Sequence, residues 1–369
     1  MRNISFNISY LARRITPSRV PRYVFFCSVL VILVVSLYPF TGWRFTGEPI
    51  WAFYAYPLPY YFTFFDNSIN VLAYMPLGFS LAISLKNNRL GPLLAQFSGV
   101  LLSCMVEFTQ QFLPGRVASN LDILSNSFGA FLGVLLAMIL GNRYWQTRCL
   151  AARHAWFAPG PAVEWGVTWL VLWFLTQMDP SQPFLGVVVE SPGLPQPFES
   201  PMENAKLFLR LLEGGGMMLH FLGVALFVSV LMRHTRQSPA AIRFTLLTAL
   251  LLKLGFAGVL LKPAQFFAWL NFNIFVGGLL GTLALLLLWR LNRSLRALLG
   301  ALALAATLVI GWFWPLVPQL AATLPLFRWH YGHLLHFNGL SAVISDVWPY
   351  GAIALLLWLA ARPPREESW

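Results

Sequence analysis

Apolar residues run through this chain in long blocks, broken at intervals by short clusters of arginine, proline and asparagine. Ten blocks approach the ~20 residues that an α-helix needs to cross the hydrocarbon core of a bilayer. They cover 23–40, 66–85, 91–112, 122–141, 163–178, 215–232, 243–261, 268–289, 297–314 and 347–361. The pattern predicts an all-α polytopic membrane protein of about ten transmembrane helices; the short fifth and tenth blocks also suit re-entrant segments. Between spans five and six, DPSQPFLGVVVESPGLPQPFES carries Pro180, Pro183, Pro192, Pro195 and Pro197, a density that opposes a helix and predicts an extended loop. ENAKLFLRLLE, which follows, has apolar residues at helical spacing and reads as a segment lying along the interface.

Composition sharpens this. Of 369 residues 58% are hydrophobic and 10% charged, against about 25% charged in soluble domains. The net charge of +12 does not point to nucleic acid, because the basic residues punctuate apolar runs instead of forming a soluble basic face. Cys27, Cys104 and Cys149 share no framework or zinc spacing. Arg13, Arg14, Arg19 and Arg22 precede the first apolar run, which lacks a small-residue cleavage site and reads as a retained span. With the N-terminus placed in the cytoplasm, eighteen of the 25 Lys and Arg residues fall on the cytoplasmic side, as the positive-inside rule requires. Both termini are then cytoplasmic.

With that orientation, polar residues converge near the outer surface. Span three ends on Glu107, Gln110 and Gln111; span four begins with Asp122 and Asn126; span two begins with Asp66, Asn70 and Tyr74. Positions three and four apart share a helix face, so three helices bring polar faces to one depth, within ~12 Å of the surface. The linker LPGRVASN is short, which makes spans three and four antiparallel neighbours with Arg116 and Ser119 between them. Gly129, Ala130 and Gly133 then allow close helix contact in lipid. Two readings stand open: a functional pocket, or a structural Glu107–Arg116 ion pair with the amides holding helices together.

NVLAYMPLGFSLAI (70–83), E-x-x-Q at 107–110 and GR-x-x-S-x-x-D-x-x-x-N-x-x-GA-x-x-G from Gly115 to Gly133 together resemble the VanZ-like family, over residues 66–140. The resemblance carries that family's polar positions onto Glu107, Gln110, Arg116, Ser119, Asp122 and Asn126. It departs at Asp66-Asn67 and Asn70, where many members have Asp-Lys and a His. The family takes its name from a protein linked to low-level resistance to teicoplanin. The resemblance therefore implies a multi-pass protein of the bacterial inner membrane with an envelope or antibiotic-resistance role, and supplies no substrate.

A second, degenerate copy is also legible. LHFLGVALFVSVL (219–231) resembles YMPLGFSLAISL (74–85), with Gly223 against Gly78, and NIFVGGLLGTLALLL (273–287) resembles NSFGAFLGVLLAMIL (126–140). Lys253 falls against Glu107 and Lys262 against Arg116, so a parallel repeat would make Lys253 a candidate ion-pair partner for Glu107. The chain then divides into a basic N-terminus (1–22), the first span and outer loop (23–65), a VanZ-like block (66–141), the fifth span with the proline-rich loop (142–203), the second copy (204–296) and a C-terminal pair of spans (297–369).

His330, His333 and His336 in RWHYGHLLHFNG have the spacing of a metal-binding helix face, but their aromatic neighbours suit an interfacial helix better. No metal or other cofactor is expected. Gly214–Gly216 is no phosphate loop, and neither G-x-S-x-G nor H-E-x-x-H occurs. Three classes of function remain: a protein that recognises or modifies an envelope amphiphile, a lipid-linked precursor or a glycopeptide; a transporter or flippase of such a molecule; and a membrane-embedded enzyme using Glu107 or Asp122 as acid or base.

Overall fold

The computed structural model describes residues 18–362 apart from 39, 46, 48, 56, 59–63, 114–115, 181–183, 186–199, 315–325 and 329–331, and the side chains of 64–66, 143, 332–339 and 342 also fall outside the description. The proline-rich loop and His330 therefore lie largely or wholly outside the described residues, as do the side chains of Asp66, His333 and His336.

Among the described residues there are eleven α-helices and no strand beyond the isolated pairs Phe157–Met232 and Leu261–Phe327. In chain order they are α1 (Val20–Leu37), α2 (Phe64–Ser84), α3 (Gly91–Gln110), α4 (Asn120–Leu140), α5 (Arg143–Trp156) and α6 (Pro161–Gln177), then α7 (Ala205–Leu231), α8 (Ser238–Leu260), α9 (Phe272–Leu288), α10 (Arg293–Phe313) and α11 (Gly332–Ala361). Seven segments are long and apolar enough to cross a membrane: α1, α3, α4, α7, Thr235–Leu260, α10 and Val343–Ala361. α2 and the 17-residue α6 and α9 fall outside that set. The chain is a multi-pass membrane protein.

Local chemistry sets the helix starts. Side chains of Ser119, Asn204, Asn271 and Asn292 accept hydrogen bonds from the first exposed backbone N–H groups of α4, α7, α9 and α10. Proline opens α1, α3, α6 and α8, where its missing N–H would have had no partner.

Two helical features differ from the sequence expectation. Residues 143–156 form α5, whose apolar and basic residues are interleaved; Arg148 stacks over Tyr144 at 4.4 Å, and Lys86 Nζ donates to Gln146 Oε1 at 2.6 Å. The segment 205–213 is not a separate interfacial piece but the first turns of α7, one helix of 27 residues. The Gly214 backbone lies against Gly277 of α9, where a Cβ on Gly277 would collide with it.

The chain forms two compact units, Met1–Arg153 and His154–Trp369. In the first, α2 and α4 are in the closest contact. A Cβ on Gly78 would strike the Ala130 backbone, one on Gly129 that of Val71, and one on Gly133 those of Met75 and Phe79. Gly129, Ala130 and Gly133 lie where α2 and α4 approach. In the second unit α7 is the buried centre, with Gly281 of α9 against Phe221 and Gly300 of α10 against Leu226. α6 and α11 exchange indole hydrogen bonds: Trp169 Nε1 donates to the Trp348 carbonyl at 2.9 Å and Trp348 Nε1 to the Trp169 carbonyl at 2.8 Å.

Candidate functional site

The polar cluster of the first unit is built on three helices. Glu107 lies one turn before the end of α3 and is 2% exposed. Its Oε2 accepts the Ser119 backbone N–H at 2.9 Å, and the Ser119 hydroxyl accepts the Leu121 N–H at 3.2 Å. One short linker thus ties the end of α3 to the start of α4. Asp122 sits in the first turn of α4, where the positive end of the helix dipole favours a carboxylate. Its Oδ1 accepts from Asn70 Nδ2 of α2 at 2.9 Å. One turn deeper, Asn126 Nδ2 donates to Ser103 Oγ of α3 at 3.0 Å. Tyr74 of α2 is 3% exposed and stands beside Ser103, close enough to Glu107 and Asp122 to feel both carboxylates. Its hydroxyl makes no well-formed hydrogen bond, and neither does the buried Asn126 Oδ1.

Gln110 and Arg116 face another way. Gln110 Nε2 donates to the Ser36 carbonyl at 3.0 Å, while Arg116 Nη2 donates to the Val35 carbonyl and, at 3.5 Å, to that of Tyr38. These are carbonyls at the C-terminal end of α1, which has no further helical N–H groups to satisfy them. Arg116 makes no ion pair with Glu107, so the structural reading of that pair does not hold, although each lies within the other's field. Burial pulls the Arg116 guanidinium down to about 10, with Glu107 opposing the fall, so it stays charged at neutral pH. Its Nε is buried without a partner. Gln111 turns back and donates to the Phe108 carbonyl of its own helix at 2.7 Å. Asp66 belongs to the first turn of α2.

A short turn at Ala52–Ala55 covers part of this cluster. Phe53, 3% exposed, packs on Ala118 and Ile123, and the Tyr54 carbonyl accepts from Asn120 Nδ2 at 3.4 Å. The Tyr54 hydroxyl meets Cys104 of α3; that hydrogen bond, then burial and the charge of Glu107, push it up to about 12. Around it Phe45 and Trp51 stack on Phe112 and Phe108 and stay largely exposed, as aromatic residues do at membrane–water boundaries.

The α1 contacts decide how far the polar segment extends: it is tied to the first helix as well as to the three that carry it. Residues 15–141 match the VanZ/LLP1 family. The VanZ/LLP1 segment thus takes in α1 through α4 and the polar contacts of this cluster. No curated protein and no solved structure matches the chain.

Sequence reasoning missed Ser103, Tyr54 and Cys104. Ser103 had a usable signal, lying four residues before Glu107 and so on the same face of α3. Lys253, the suggested partner of Glu107, is fully buried in the second unit and donates Nζ to the Asp179 carbonyl oxygen at 2.5 Å. No metal-binding group of three ligands occurs among the described residues.

Proposed function

We propose that the polar cluster of the VanZ/LLP1 segment binds the polar group of a membrane amphiphile, from the outer face of a bacterial cytoplasmic membrane. The observation that carries this is incomplete hydrogen bonding. Beside Glu107 and Asp122 the Tyr74 hydroxyl has only Ser103 at hand and makes no well-formed hydrogen bond, the buried Asn126 Oδ1 has no partner, and Arg116 Nε is buried without one where the guanidinium turns to the α1 carbonyls. In a bilayer no bulk water satisfies such groups, and a bound polar ligand would complete them. The two carboxylates suit a cationic or hydroxyl-bearing group, and the unpartnered Nε–H of Arg116 suits a phosphate or carboxylate. A lipid-linked envelope precursor or a glycopeptide carries groups of both kinds.

The test uses the full chain in detergent, with native mass spectrometry of what co-purifies. We expect a bound amphiphile that Glu107→Gln and Asp122→Asn lose while the protein still accumulates in the membrane. Undiminished binding in both variants would remove the reading.

A transporter reading gains support from one observation. In the first unit Asn70 of α2 donates to Asp122 of α4; in the second, Asn271 and Asn273 at the start of α9 donate to Glu213 of α7, the latter at 2.9 Å. Both helix pairs also close on glycines four apart, Gly129 and Gly133 in one, Gly277 and Gly281 in the other. This supports a parallel repeat in which carboxylate and amide have changed helices. Transporters often build their sites between such repeats.

A further inference from the structure

The sequence accounts for the arginines near residues 233 and 293 only as markers of membrane orientation. Their geometry says more. In the second unit, α7 ends at Leu231, α8 begins at Ser238 and α10 begins at Arg293, and the turn between α7 and α8 gathers all three ends. Arg293 Nη2 donates to the carbonyls of Met232 and Arg233. Arg296, only 2% exposed, donates to the Ser229 carbonyl at 3.1 Å, the Ser238 hydroxyl at 3.3 Å and the Thr235 hydroxyl at 3.3 Å. Arg233 Nη1 donates to the His154 carbonyl at 2.7 Å, and Arg236 stands exposed on the same turn.

Capping α7 explains some of this but not the charge. The C-terminal end of a helix carries only about half a negative charge, and the N-termini of α8 and α10 at the same place add positive potential. Arg296 meets neutral oxygens alone, has the Arg293 guanidinium beside it, and keeps its Nε buried with no partner. Glu164 is buried in the first turn of α6 of the same unit. Arg233 and Arg293 are half-buried and Arg236 is open, so an anion could reach the rim and lie over the buried charge of Arg296.

We infer that Arg233, Arg236, Arg293 and Arg296 form an anion site at this end of the second unit, and that it takes the phosphate group of an anionic membrane lipid. Arginine suits bidentate phosphate recognition, and the site lies at the ends of helices long enough to cross a bilayer, level with lipid head groups.

The test measures thermal unfolding and native mass spectra of the full-length detergent-solubilised protein with phosphatidylglycerol, with net-neutral phosphatidylcholine and with inorganic phosphate. Saturating phosphatidylglycerol should raise Tm by roughly 5 °C and remain bound in the spectrum, while the other two do little. Arg236→Gln, at an exposed position outside the helix cap, should weaken binding about fivefold, and adding Arg293→Gln about fivefold more. If inorganic phosphate stabilises as well as the lipid, the anion site stands and the lipid assignment falls. No stabilisation by either, or lipid binding unchanged in the double variant, overturns the site.

Discussion

At the level of single residues, the polar cluster divides into two jobs that the sequence merged. Spacing put Glu107, Gln110, Arg116, Asp122 and Asn126 on converging surfaces, and the structure ties Glu107 to Ser119, Asp122 to Asn70 and Asn126 to Ser103, with Asp122 within the field of Glu107. It could not reveal that Gln110 and Arg116 reach for backbone carbonyls of α1, because a carbonyl target has no signature in side-chain pattern. This changes what mutation should do. Breaking a buried ion pair costs about 3–5 kcal/mol and couples its members strongly. Since Glu107 and Arg116 form no such pair, Glu107→Ala and Arg116→Ala should couple by no more than about 1 kcal/mol in a double-mutant cycle of unfolding. A larger coupling would restore the ion-pair reading. Glu107→Ala alone leaves the buried Ser119 N–H without its acceptor and should cost about 1–3 kcal/mol; Glu107→Gln keeps an acceptor and should cost clearly less. Gln110→Ala and Arg116→Ala should instead loosen α1, seen as faster proteolysis or hydrogen exchange around residues 33–38.

At the level of elements, the apolar blocks were legible because crossing a bilayer demands length and little charge, and every one of the ten blocks overlaps a helix. What escaped was α5, whose arginines break up any apolar run, and the start of α7, whose amphipathic spacing read as an interfacial segment. Glycine in a lipid-embedded helix is tolerated where it lets another backbone approach, and that gives a sharp contrast between positions. Gly129→Ala and Gly277→Ala would drive a methyl into the backbones of Val71 and Gly214, atoms that cannot turn aside. Each should destabilise by about 1–3 kcal/mol. Gly281→Ala meets chiefly the Phe221 ring, which can tilt, and should cost less. Gly255 and Gly311 lie in helices with nothing within 4 Å of an added Cβ, so alanine there should be neutral or stabilise by up to about 1 kcal/mol. Thermal unfolding in one detergent ranks the five; equal losses at Gly129 and Gly255 would refute the packing account.

For the whole molecule, charge placement makes a claim that helix packing alone cannot make, because a bundle folds equally well either way up. The sequence assigns eighteen of 25 basic residues to the cytoplasmic side. Each Lys or Arg held on the cytoplasmic side resists translocation, and the bias acts through short loops near the spans. Loops of that kind are found here: residues 85–90, 232–237 and 289–292 join consecutive helices and carry Lys86 and Arg89, Arg233 and Arg236, and Arg290. The same assignment puts the mouth of the polar cluster, the Ala52–Ala55 turn and Arg116 outside, where an envelope amphiphile would meet them. Cys27, Cys104 and Cys149 would first be replaced by serine or alanine. Single cysteines placed at Val117, which is 67% exposed, and at Phe45, which is 66% exposed, should then react with an impermeant thiol reagent on intact cells. Cysteines at Asn88, Arg148, Arg236 and Asn292 should react only after the membrane is permeabilised. Labelling of the second group from outside would invert the molecule, turn the arginine turn outward and deprive the polar cluster of access to any ligand arriving from the envelope.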